Sequence, residues 1–352
     1  MPAFKDENKK TWFCKFYYVD FSGTKKQKKK RGFATKKQAT EWERDFLVKY
    51  QSEITIPFSV LIKHYQEDMK ARLKPSTIYS KNVIIEKHIL PYFKDTPINK
   101  IRPKHVRSWQ NEMINHEKNF SQTYLKTLQT QLVSIFNYAV RYYDLKENPC
   151  NKAGSMGSLK TEKEMTIWTI DQFKEFIATE EDSLYYTAFN TLFYTGLRVG
   201  ELLALTWNDI DFNDNTLSVT KSFQQLHGQI YITSPKMPKS VRTIAIFPYL
   251  SQILLKYKNA LYESKSTDRI FNTTKSSLLR ELRRKAKEID LPPIRLHDLR
   301  HSHASLLIEQ GFNPLVIADR LGHENVQTTL NVYSHLYPNK QDELAKKLQE
   351  IA

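Results

Sequence analysis

The chain has 352 residues and carries 54 Lys and Arg residues against 38 Asp and Glu residues, a net charge of +16. This length accommodates two or three domains with their own cores, and the positive charge favours a polyanionic partner such as a nucleic acid. Two cysteines are too few for a disulfide framework or a cysteine-rich zinc site, and no apolar run approaches the roughly 18 residues of a membrane helix, so we expect a cytoplasmic protein without a membrane segment.

The first segment, residues 1–52, is predicted to form a small three-stranded sheet with one helix. The stretch "TWFCKFYYVDF" is rich in aromatic and β-branched residues, and Thr35 is placed to cap the helix that follows. Residues 1–50 hold 14 Lys and Arg residues against 6 Asp and Glu residues, which is half of the net charge. We interpret the basic run, expected on the hairpin beside these aromatics, as a DNA-binding surface, and the alternative is a solvated charged turn. Its candidate contacts are Lys25, Lys26, Lys28, Lys29, Lys30 and Arg31.

The second segment, residues 55–153, is predicted to be a compact helical bundle. Apolar residues recur at helical spacing from residue 58 to residue 69, and Pro75 and Pro103 stand where two further helices begin. A fourth apolar stripe follows in "SQTYLKTLQTQLVSIFNYAVRYYDL". This bundle by itself indicates no chemistry. The polar stretch "NKAGSMGSLKTEKEM", residues 151–165, is the predicted linker to the next domain.

The third segment, residues 166–352, is predicted to be mostly helical. Thr169 and Gln172 have the spacing of a capping box at the start of its first helix. Two alternating stretches, "NTLSVTKS" and "QIYITSPKMPKSVRTIAIF", predict three short antiparallel strands among the helices. The fold class predicted for the whole chain is therefore mainly α with small β elements, an α+β arrangement.

A cluster of histidines and arginines opens the helix predicted in "IRLHDLRHSHASLLIEQG". His297 and His301 have the spacing of a zinc pair, but no Glu stands between them, and Arg300 would place a fixed charge beside the metal. A phosphate group explains the mixture better, because His297 and Arg300 share one helix face and can reach the same anion. We expect His301 and His303 to point elsewhere, either as structural residues or as residues that support the site from outside it.

A second arginine has a similar position. In "FNTLFYTGLRVGELLALTW" two apolar helices are separated at Gly196, and Arg198 stands at the start of the second helix. An arginine there is usually a surface residue or an ion-pair partner, here of Glu201 at i+3. A helix start also offers free N–H groups to an anion, which favours a second phosphate ligand.

Four motifs carry a resemblance to a known family. In this order and at these separations, "TGLRVGELLAL", "HDLRHSHAS", "LGHENVQTT" and "NVYSHL" resemble the tyrosine recombinase (phage integrase) family. The resemblance implies a catalytic domain over residues 166–352. The first segment resembles the arm-type DNA-binding domain of integrases carried by phages and conjugative elements. The second segment resembles their helical core-binding domain.

The resemblance implies the nucleophile and the residues that bind the scissile phosphate. Tyr333 in "NVYSHL" matches the nucleophile, and Tyr337 is the second candidate. A phenol with an ordinary pKa near 10 must lose its proton before it attacks phosphorus. Arg198 and Arg300 match the two arginines that bind the non-bridging oxygens, where negative charge develops.

Further roles are implied for residues that move protons. His297 and His323 match the family's histidine positions, the first for proton movement at the tyrosine and the second for donation to a phosphate oxygen. Lys236 matches the general acid that protonates the leaving 5′-oxygen, and Lys239 is close enough to be the alternative. Glu201 resembles an acidic position that supports the first arginine.

The implied reaction needs neither a metal nor another cofactor, because the bond energy is conserved in a 3′-phosphotyrosyl linkage. The implied partner is double-stranded DNA with core and arm attachment sites, bound by a homotetramer, with a directionality factor and a DNA-bending host protein as helpers. A C-terminal apolar stripe of Leu344, Leu348 and Ile351 is predicted to pack on a neighbouring subunit, or else on its own domain. The expected activity is integration and excision of a mobile element.

Two other functions remain open from the sequence. "PLVIADRLGHENVQTTLNVYSHL" also has the form of a helix-turn-helix regulator, but its second helix offers no Arg or Lys for guanine edges and phosphates. A type IB topoisomerase would share the chemistry but would relax a single duplex. The three-segment layout with a basic N-terminal part favours site-specific recombination.

Overall fold

The computed structural model describes residues 3–6, 11–19, 25–52, 56–159, 165–226, 228–235, 238–333 and 349. The chain divides into two compact units, residues 1–163 and residues 164–352. Helices dominate the described residues and the sheets are small and antiparallel, which confirms the predicted α+β fold class. None of the helices in these ranges combines the length and the apolar character that crossing a membrane requires.

The first unit begins with a three-stranded sheet in which the second strand lies between the other two and runs antiparallel to both. One face of the sheet packs on a helix and buries Cys14, Phe16 and Ala39. The Thr35 hydroxyl accepts a hydrogen bond of 3.2 Å from the Gln38 backbone N–H, so the predicted cap is present. The elements are β1 (Ala3–Asp6), β2 (Thr11–Val19), β3 (Lys25–Phe33) and α1 (Lys36–Ser52).

A helical bundle follows in the same unit, with a core of its own. Phe58, Trp109 and Phe136 are fully buried, as the apolar spacing of their helices predicts. A π-helical turn over Ile85–Ile89 joins two of the helices into one helical stretch. The helices are α2 (Phe58–Arg72), α3 (Pro75–Ile84), α4 (Leu90–Phe93), α5 (Pro103–Ile114), α6 (Gln122–Tyr142) and α7 (Pro149–Ala153).

The predicted linker, residues 151–165, is wrong over its first half, which belongs to the bundle. Helix α7 continues to Ala153, and the next carbonyl, that of Gly154, accepts a 2.8 Å hydrogen bond from the buried Gln110 amide. Met156 is buried in the bundle core, and the Ser158 N–H donates to the Gln122 carbonyl. Small polar residues therefore reflect close packing here, and residues 160–164 lie outside the described part of the chain.

The second unit combines eight helices and five strands in its described part. The strands form two small sheets, in the order β4-β5-β8 and β6-β7, so the prediction of three strands was too low. Two strands were missed, the two-residue strand Ile210–Asp211 and "SFQQL", which lacks alternating apolar residues and pairs with the next strand through backbone hydrogen bonds. The elements are α8 (Ile170–Ala178), α9 (Ser183–Thr195), α10 (Val199–Ala204), β4 (Ile210–Asp211), β5 (Thr216–Val219), β6 (Ser222–Leu226), β7 (Gln229–Thr233), β8 (Arg242–Ala245), α11 (Pro248–Ala260), α12 (Lys275–Glu288), α13 (Asp298–Glu309), α14 (Pro314–Leu321) and α15 (Val326–Tyr333).

Candidate active site

A glycine turn positions the first arginine. Helix α9 ends at Gly196, whose φ of 65° is left-handed, and α10 begins directly after Arg198. A Cβ at Gly196 would lie 2.6 Å from the His303 ring and 2.7 Å from the Leu321 side chain. Only glycine therefore lets this turn pack so closely against α13 and α14.

A buried carboxylate holds two guanidiniums. Glu201 is 3% exposed, and its Oε1 atom lies 2.7 Å from Arg198 Nη1, as its i+3 position predicts. Its Oε2 atom accepts a 3.0 Å hydrogen bond from Arg242 Nη2, which comes from β8. Burial alone would raise the pKa of Glu201, but Arg242 and then Arg198 outweigh it and lower that pKa below its ordinary value. Glu201 is therefore an anion that fixes Arg198, which stays 38% exposed.

The second arginine, Arg300, is 2% exposed and comes from the first turn of α13. Its Nη1 and Nη2 atoms donate hydrogen bonds of 2.7 Å to the carbonyls of Gly196 and Leu321. Burial, followed by the charge on Arg198, lowers the pKa of Arg300 to about 9, which leaves it cationic at neutral pH. The guanidinium is thus held between the α9–α10 turn and the end of α14.

Two histidines lie beside these arginines. Desolvation, followed by the charges of His301 and Arg300, lowers the pKa of His297 to about 4, although the residue as a whole is exposed. Desolvation, followed by Arg300 and Arg198, lowers the pKa of His323 to about 4. The Nδ1 atom of His323 lies 2.8 Å from the Thr329 hydroxyl, which leaves its Nε2 atom for another partner. Both imidazoles are neutral at pH 7.

Tyr333 is the last residue of α15 and is 1% exposed. It packs in a small apolar cluster with Ala304, Ile308, Ile317 and Leu321, so α13 and α14 hold its ring. Burial raises the pKa of the phenol to about 12, while the positive charge of Arg300 acts in the opposite direction. At rest the hydroxyl is therefore protonated and close enough to Arg300 for their charges to interact.

The expectation that His301 points away from the site is wrong. Its Nδ1 atom lies 2.6 Å from the Tyr333 hydroxyl, because one helical turn separates His301 from His297 and brings it under α15. His303 does point away, and its Nε2 atom accepts a 3.1 Å hydrogen bond from Arg320. Burial lowers the pKa of His303 to about 3, so this histidine is neutral.

The predicted general acid lies outside the described residues, because Lys236 falls in the gap at residues 236–237. Lys239, its alternative, is exposed in the short helical turn Pro238–Ser240. A Cβ at Gly322 would lie 3.1 Å from the Lys239 carbonyl, so this turn approaches the end of α14 closely. Tyr337 and the C-terminal stripe from residue 344 to residue 351 also fall outside the described residues.

Sequence reasoning missed Arg242. Besides Glu201, it donates from Nε to the Arg320 carbonyl at 2.8 Å and from Nη1 to the Ser240 carbonyl at 3.0 Å. It therefore joins the Arg198 side of the site to the end of α14. A signal was present, because Arg242 is two residues before the buried Ile244 and therefore lies on the same face of β8, where an inward arginine requires a buried acceptor.

The basic run of the first unit forms the edge strand β3 rather than a turn, and all its cations are exposed. The pairing of β3 with β2 separates them onto two faces. On one face, Lys29 lies 4.7 Å from the Phe13 ring centroid, and on the other, Lys30 lies 4.8 Å from that of Trp42 in α1. We name the cations of these faces the open-face triple, Lys25, Lys29 and Arg31, and the helix-face triple, Lys26, Lys28 and Lys30.

The site thus combines two fixed guanidiniums, neutral imidazoles and one buried phenol. Within the described ranges, no three His, Cys, Asp or Glu side chains are grouped closely enough to hold a metal ion. Two positive charges held near a buried phenol suit the binding of a phosphate and attack on it by the phenolic oxygen. This donor set is suited to nucleophilic attack on a phosphodiester.

Comparison with known proteins agrees with this chemistry. The model of the phage integrase family matches residues 165–340. The model of the N-terminal SAM-like domain of phage integrases matches residues 58–114, and that of the arm DNA-binding domain matches residues 3–50. These matches follow the order of the three predicted segments.

Characterised relatives extend over most of the chain. The ICEBs1 integrase of Bacillus subtilis is 35% identical over 342 residues, which cover 90% of this chain and 91% of that protein. The integrase of Staphylococcus phage L54a is 27% identical over 289 residues, covering 72% of this chain and 81% of its own length.

Solved structures share the fold. The Tn1549 transposon integrase in complex with a circular intermediate DNA superimposes with a TM-score of 0.68 at 19% identity, covering 85% of this chain and all of that one. A lambda integrase dimer bound to a core site gives a TM-score of 0.62 at 18% identity, covering 96% of this chain and 95% of that one. From the family match over half of the chain and the 35% identical relative, we conclude that this chain belongs to the phage integrase family and is a tyrosine-type site-specific recombinase.

Proposed function

We propose that the protein cuts and rejoins DNA strands through a 3′-phosphotyrosyl intermediate, and thereby integrates and excises a mobile element. One observation carries the proposal. Residues from α10, α13, α14–α15 and their turns act on one another electrostatically, since Arg198 and Arg300 both lower the pKa values of His297 and His323, and Arg300 also acts on Tyr333.

In the first step, the Tyr333 oxygen attacks the scissile phosphorus. The phenol loses its proton, the bond between its oxygen and phosphorus forms, and the bond from phosphorus to the 5′-oxygen breaks. Negative charge develops on the non-bridging oxygens, and Arg198 and Arg300 would stabilise it. Removing one preorganised donor of this kind typically costs about 3–4 kcal/mol of transition-state stabilisation.

The leaving 5′-oxygen requires a proton, because expelling an alkoxide is costly. We assign this proton to Lys236, with Lys239 as the alternative, and hydrogen bonding to a phosphate oxygen to His323. The pairing of His323 Nδ1 with Thr329 supports this role, since Nε2 carries the ring proton of the neutral imidazole when the Thr329 hydroxyl donates to Nδ1. In the second step, a 5′-hydroxyl of another strand attacks the phosphotyrosyl bond and releases Tyr333.

The DNA partner is double-stranded and carries core and arm attachment sites. Structures of integrases bound to a core site and of a lambda integrase tetramer bound to a Holliday junction support a homotetramer on paired core sites. The match of residues 3–50 to the arm DNA-binding domain and the exposed cations of β3 support binding of residues 1–52 to arm sites. Residues 55–153 would bind the core site together with the catalytic domain, residues 166–352, in the cytoplasm.

Helper proteins belong to this proposal as well. A directionality factor and a DNA-bending host protein would decide between integration and excision and would bring arm and core sites together. The C-terminal stripe beginning at Leu344 would pack on the neighbouring subunit. Deleting residues 341–352 tests this packing, because tetramers should then form less readily on paired sites while binding of a single core site persists.

The test of the main proposal is a nicked duplex that contains the attachment core. We expect a covalent adduct on the 3′ side, lost in Tyr333→Phe at nearly unchanged DNA affinity. Tyr262→Phe is the matched control, since Tyr262 is 89% exposed and should react as the parent does. A transcriptional regulator would give no adduct, and a topoisomerase would give one without exchanging strands between two sites. An adduct that persists in Tyr333→Phe would reject the assignment of the nucleophile.

A further inference from the structure

The hydrogen-bond partner of the Tyr333 phenol is His301. Nδ1 of His301 lies 2.6 Å from the phenolic oxygen, a short distance for a neutral pair. The two rings meet edge to face, with centroids 5.6 Å apart and planes at 61°. The contact joins α13 to the end of α15, so the packing of the small apolar cluster fixes it from both sides.

His297 has different surroundings. Its ring stands at 84° to that of His301 with centroids 4.8 Å apart, one helical turn nearer the start of α13, and it is exposed. Arg198 and Arg300 both act on its charge, whereas the phenol lies against His301. The two histidines therefore face different parts of the site, His297 the phosphate side and His301 the nucleophile side.

We propose that His301, rather than His297, accepts the proton of the Tyr333 phenol during strand cleavage, an inference that rests on the proposed function. The phenolic proton moves to Nδ1 of His301 as the bond from Tyr333 Oη to phosphorus forms. The bond from phosphorus to the 5′-oxygen breaks at the same time, and the general acid supplies the proton that this oxygen takes. When the second strand attacks, its 5′-hydroxyl gives its proton to the deprotonated general acid, and His301 returns its proton to the departing phenolate.

Charged groups near the start of α13 act on His301 during this exchange. The buried Asp298, three residues earlier on α13, raises the pKa of His301, while Arg295 and Arg300 lower it, and desolvation lowers it most. The imidazole is therefore neutral at pH 7 and Nδ1 is able to accept a proton. As His301 becomes positively charged, the Asp298 carboxylate stabilises it, and Arg300 stabilises the developing phenolate.

The inference also separates two roles that one histidine would otherwise combine. His297 is left to interact with the phosphate or the leaving oxygen, where the guanidiniums lie. Loss of His301 then affects the proton transfers at the tyrosine, and loss of His297 affects the phosphate and the leaving group. The two residues can therefore be distinguished by changing the acidity of the phenol or the proton requirement of the leaving group.

The experiment compares His301→Leu, His301→Asn and His297→Leu in the full chain on core-site DNA. Each variant is made with tyrosine and with a fluorinated tyrosine of lower phenol pKa at position 333. Each is assayed on a normal duplex and on one with a 5′-bridging phosphorothiolate, whose sulfur leaves without a proton. The rate of covalent adduct formation is the measurement.

We expect His301→Leu to lower the rate on the normal duplex about 100-fold. Fluorotyrosine should recover at least 10-fold of this loss, because a more acidic phenol depends less on a base, and the phosphorothiolate should recover none. The rate of His301→Asn should lie between those of the parent and His301→Leu, since the amide oxygen keeps the hydrogen bond but takes no proton. Because this variant keeps the contact with Tyr333, it also controls for misfolding of His301→Leu. The rate of adduct formation by His297→Leu should not increase when fluorotyrosine replaces Tyr333.

A rate within threefold of the parent in His301→Leu would overturn the inference. So would recovery of His301→Leu by the phosphorothiolate alone, or recovery of His297→Leu by fluorotyrosine. These outcomes differ from failure of the proposed function itself, in which the parent forms no adduct or Tyr333→Phe retains one.

Discussion

Two regions of the molecule concentrate positive charge, strand β3 in the first unit and the arginine site in the second. The cations of β3 are exposed and rest against aromatic rings, with Lys29 over Phe13 as an example. In the arginine site, Arg300 is buried against backbone carbonyls, and the buried Glu201 holds Arg198 and Arg242. The same charge therefore has different partners in the two regions.

The difference shows how burial changes what a positive charge contributes. An exposed lysine is solvated and screened, so it attracts a polyanion at long range without fixing its geometry. A buried guanidinium has few alternative conformations, because removing any of its acceptors leaves a charge without a partner. We infer that β3 contributes affinity, whereas the arginine site contributes geometry. The following predictions test this distinction, from the largest expected effect to the smallest.

Arg242→Met should give the largest loss of stability. It leaves the buried Glu201 with Arg198 alone, and breaking a buried pair by removing one partner typically costs about 3–5 kcal/mol. Adduct formation should also fall at least 10-fold, because Arg198 loses its fixed position. Urea unfolding and the adduct assay measure the two effects.

The control for this variant is Arg284→Met, which removes an exposed arginine paired with Glu281 and should change neither measurement. Adding Glu201→Gln to Arg242→Met should restore part of the stability but not the adduct rate, because the carboxylate no longer orients Arg198. Equal losses in Arg242→Met and Arg284→Met would contradict the importance of burial.

Acid should destabilise the second unit more than the first between pH 6.5 and pH 4. Burial lowers the pKa of His303 to about 3 and desolvation lowers that of His323 to about 4, so the unfolded chain binds more protons in this range. The free energy of unfolding therefore decreases as the pH is lowered, by up to about 1.4 kcal/mol per pH unit for each such histidine. The pKa values of His297 and His301 in the second unit are lowered as well, and in the first unit burial lowers the pKa of His88.

Hydrogen exchange followed unit by unit at pH 7, 5.5 and 4.5 measures this difference. His303→Gln should reduce the pH dependence of the second unit, since its amide does not titrate. The same loss of protection in both units on acidification would contradict the prediction, and so would an unchanged pH dependence in His303→Gln.

The smallest effect is expected from changing the cations of β3 to Gln. Neutralising the open-face triple should weaken binding to arm-site DNA and lower the slope of log affinity against log salt by about 0.9 for each lost phosphate contact. Neutralising the helix-face triple removes the same charge from the face that packs on α1, and it should change the slope less. Covalent adduct formation on core-site DNA should stay the same in both variants. Equal changes in slope would show that net charge alone determines the binding.

Local features of the sequence were sufficient for most of the fold. The caps at Thr35 and Thr169 involve residues three positions apart, and both are present as predicted. The apolar stripe of α2 is buried, as its spacing predicts. Prediction was less successful where close packing, rather than apolar spacing, determines the structure. The residues around Gly154 resembled a linker, yet buried glutamines bind them to the bundle.

The sequence by itself determined the residues with which this recombinase can act, because its motifs fix their identity and their helical spacing. The pairing of Arg198 with Glu201 is of this kind, since three residues on a helix bring the two side chains together. Only the tertiary structure decided that His301 contacts Tyr333 and that Arg242 contacts Glu201. These partners are 32 and 41 residues apart in the chain, so their contact depends on how α13 packs against α15 and β8 against α10, which no local pattern encodes.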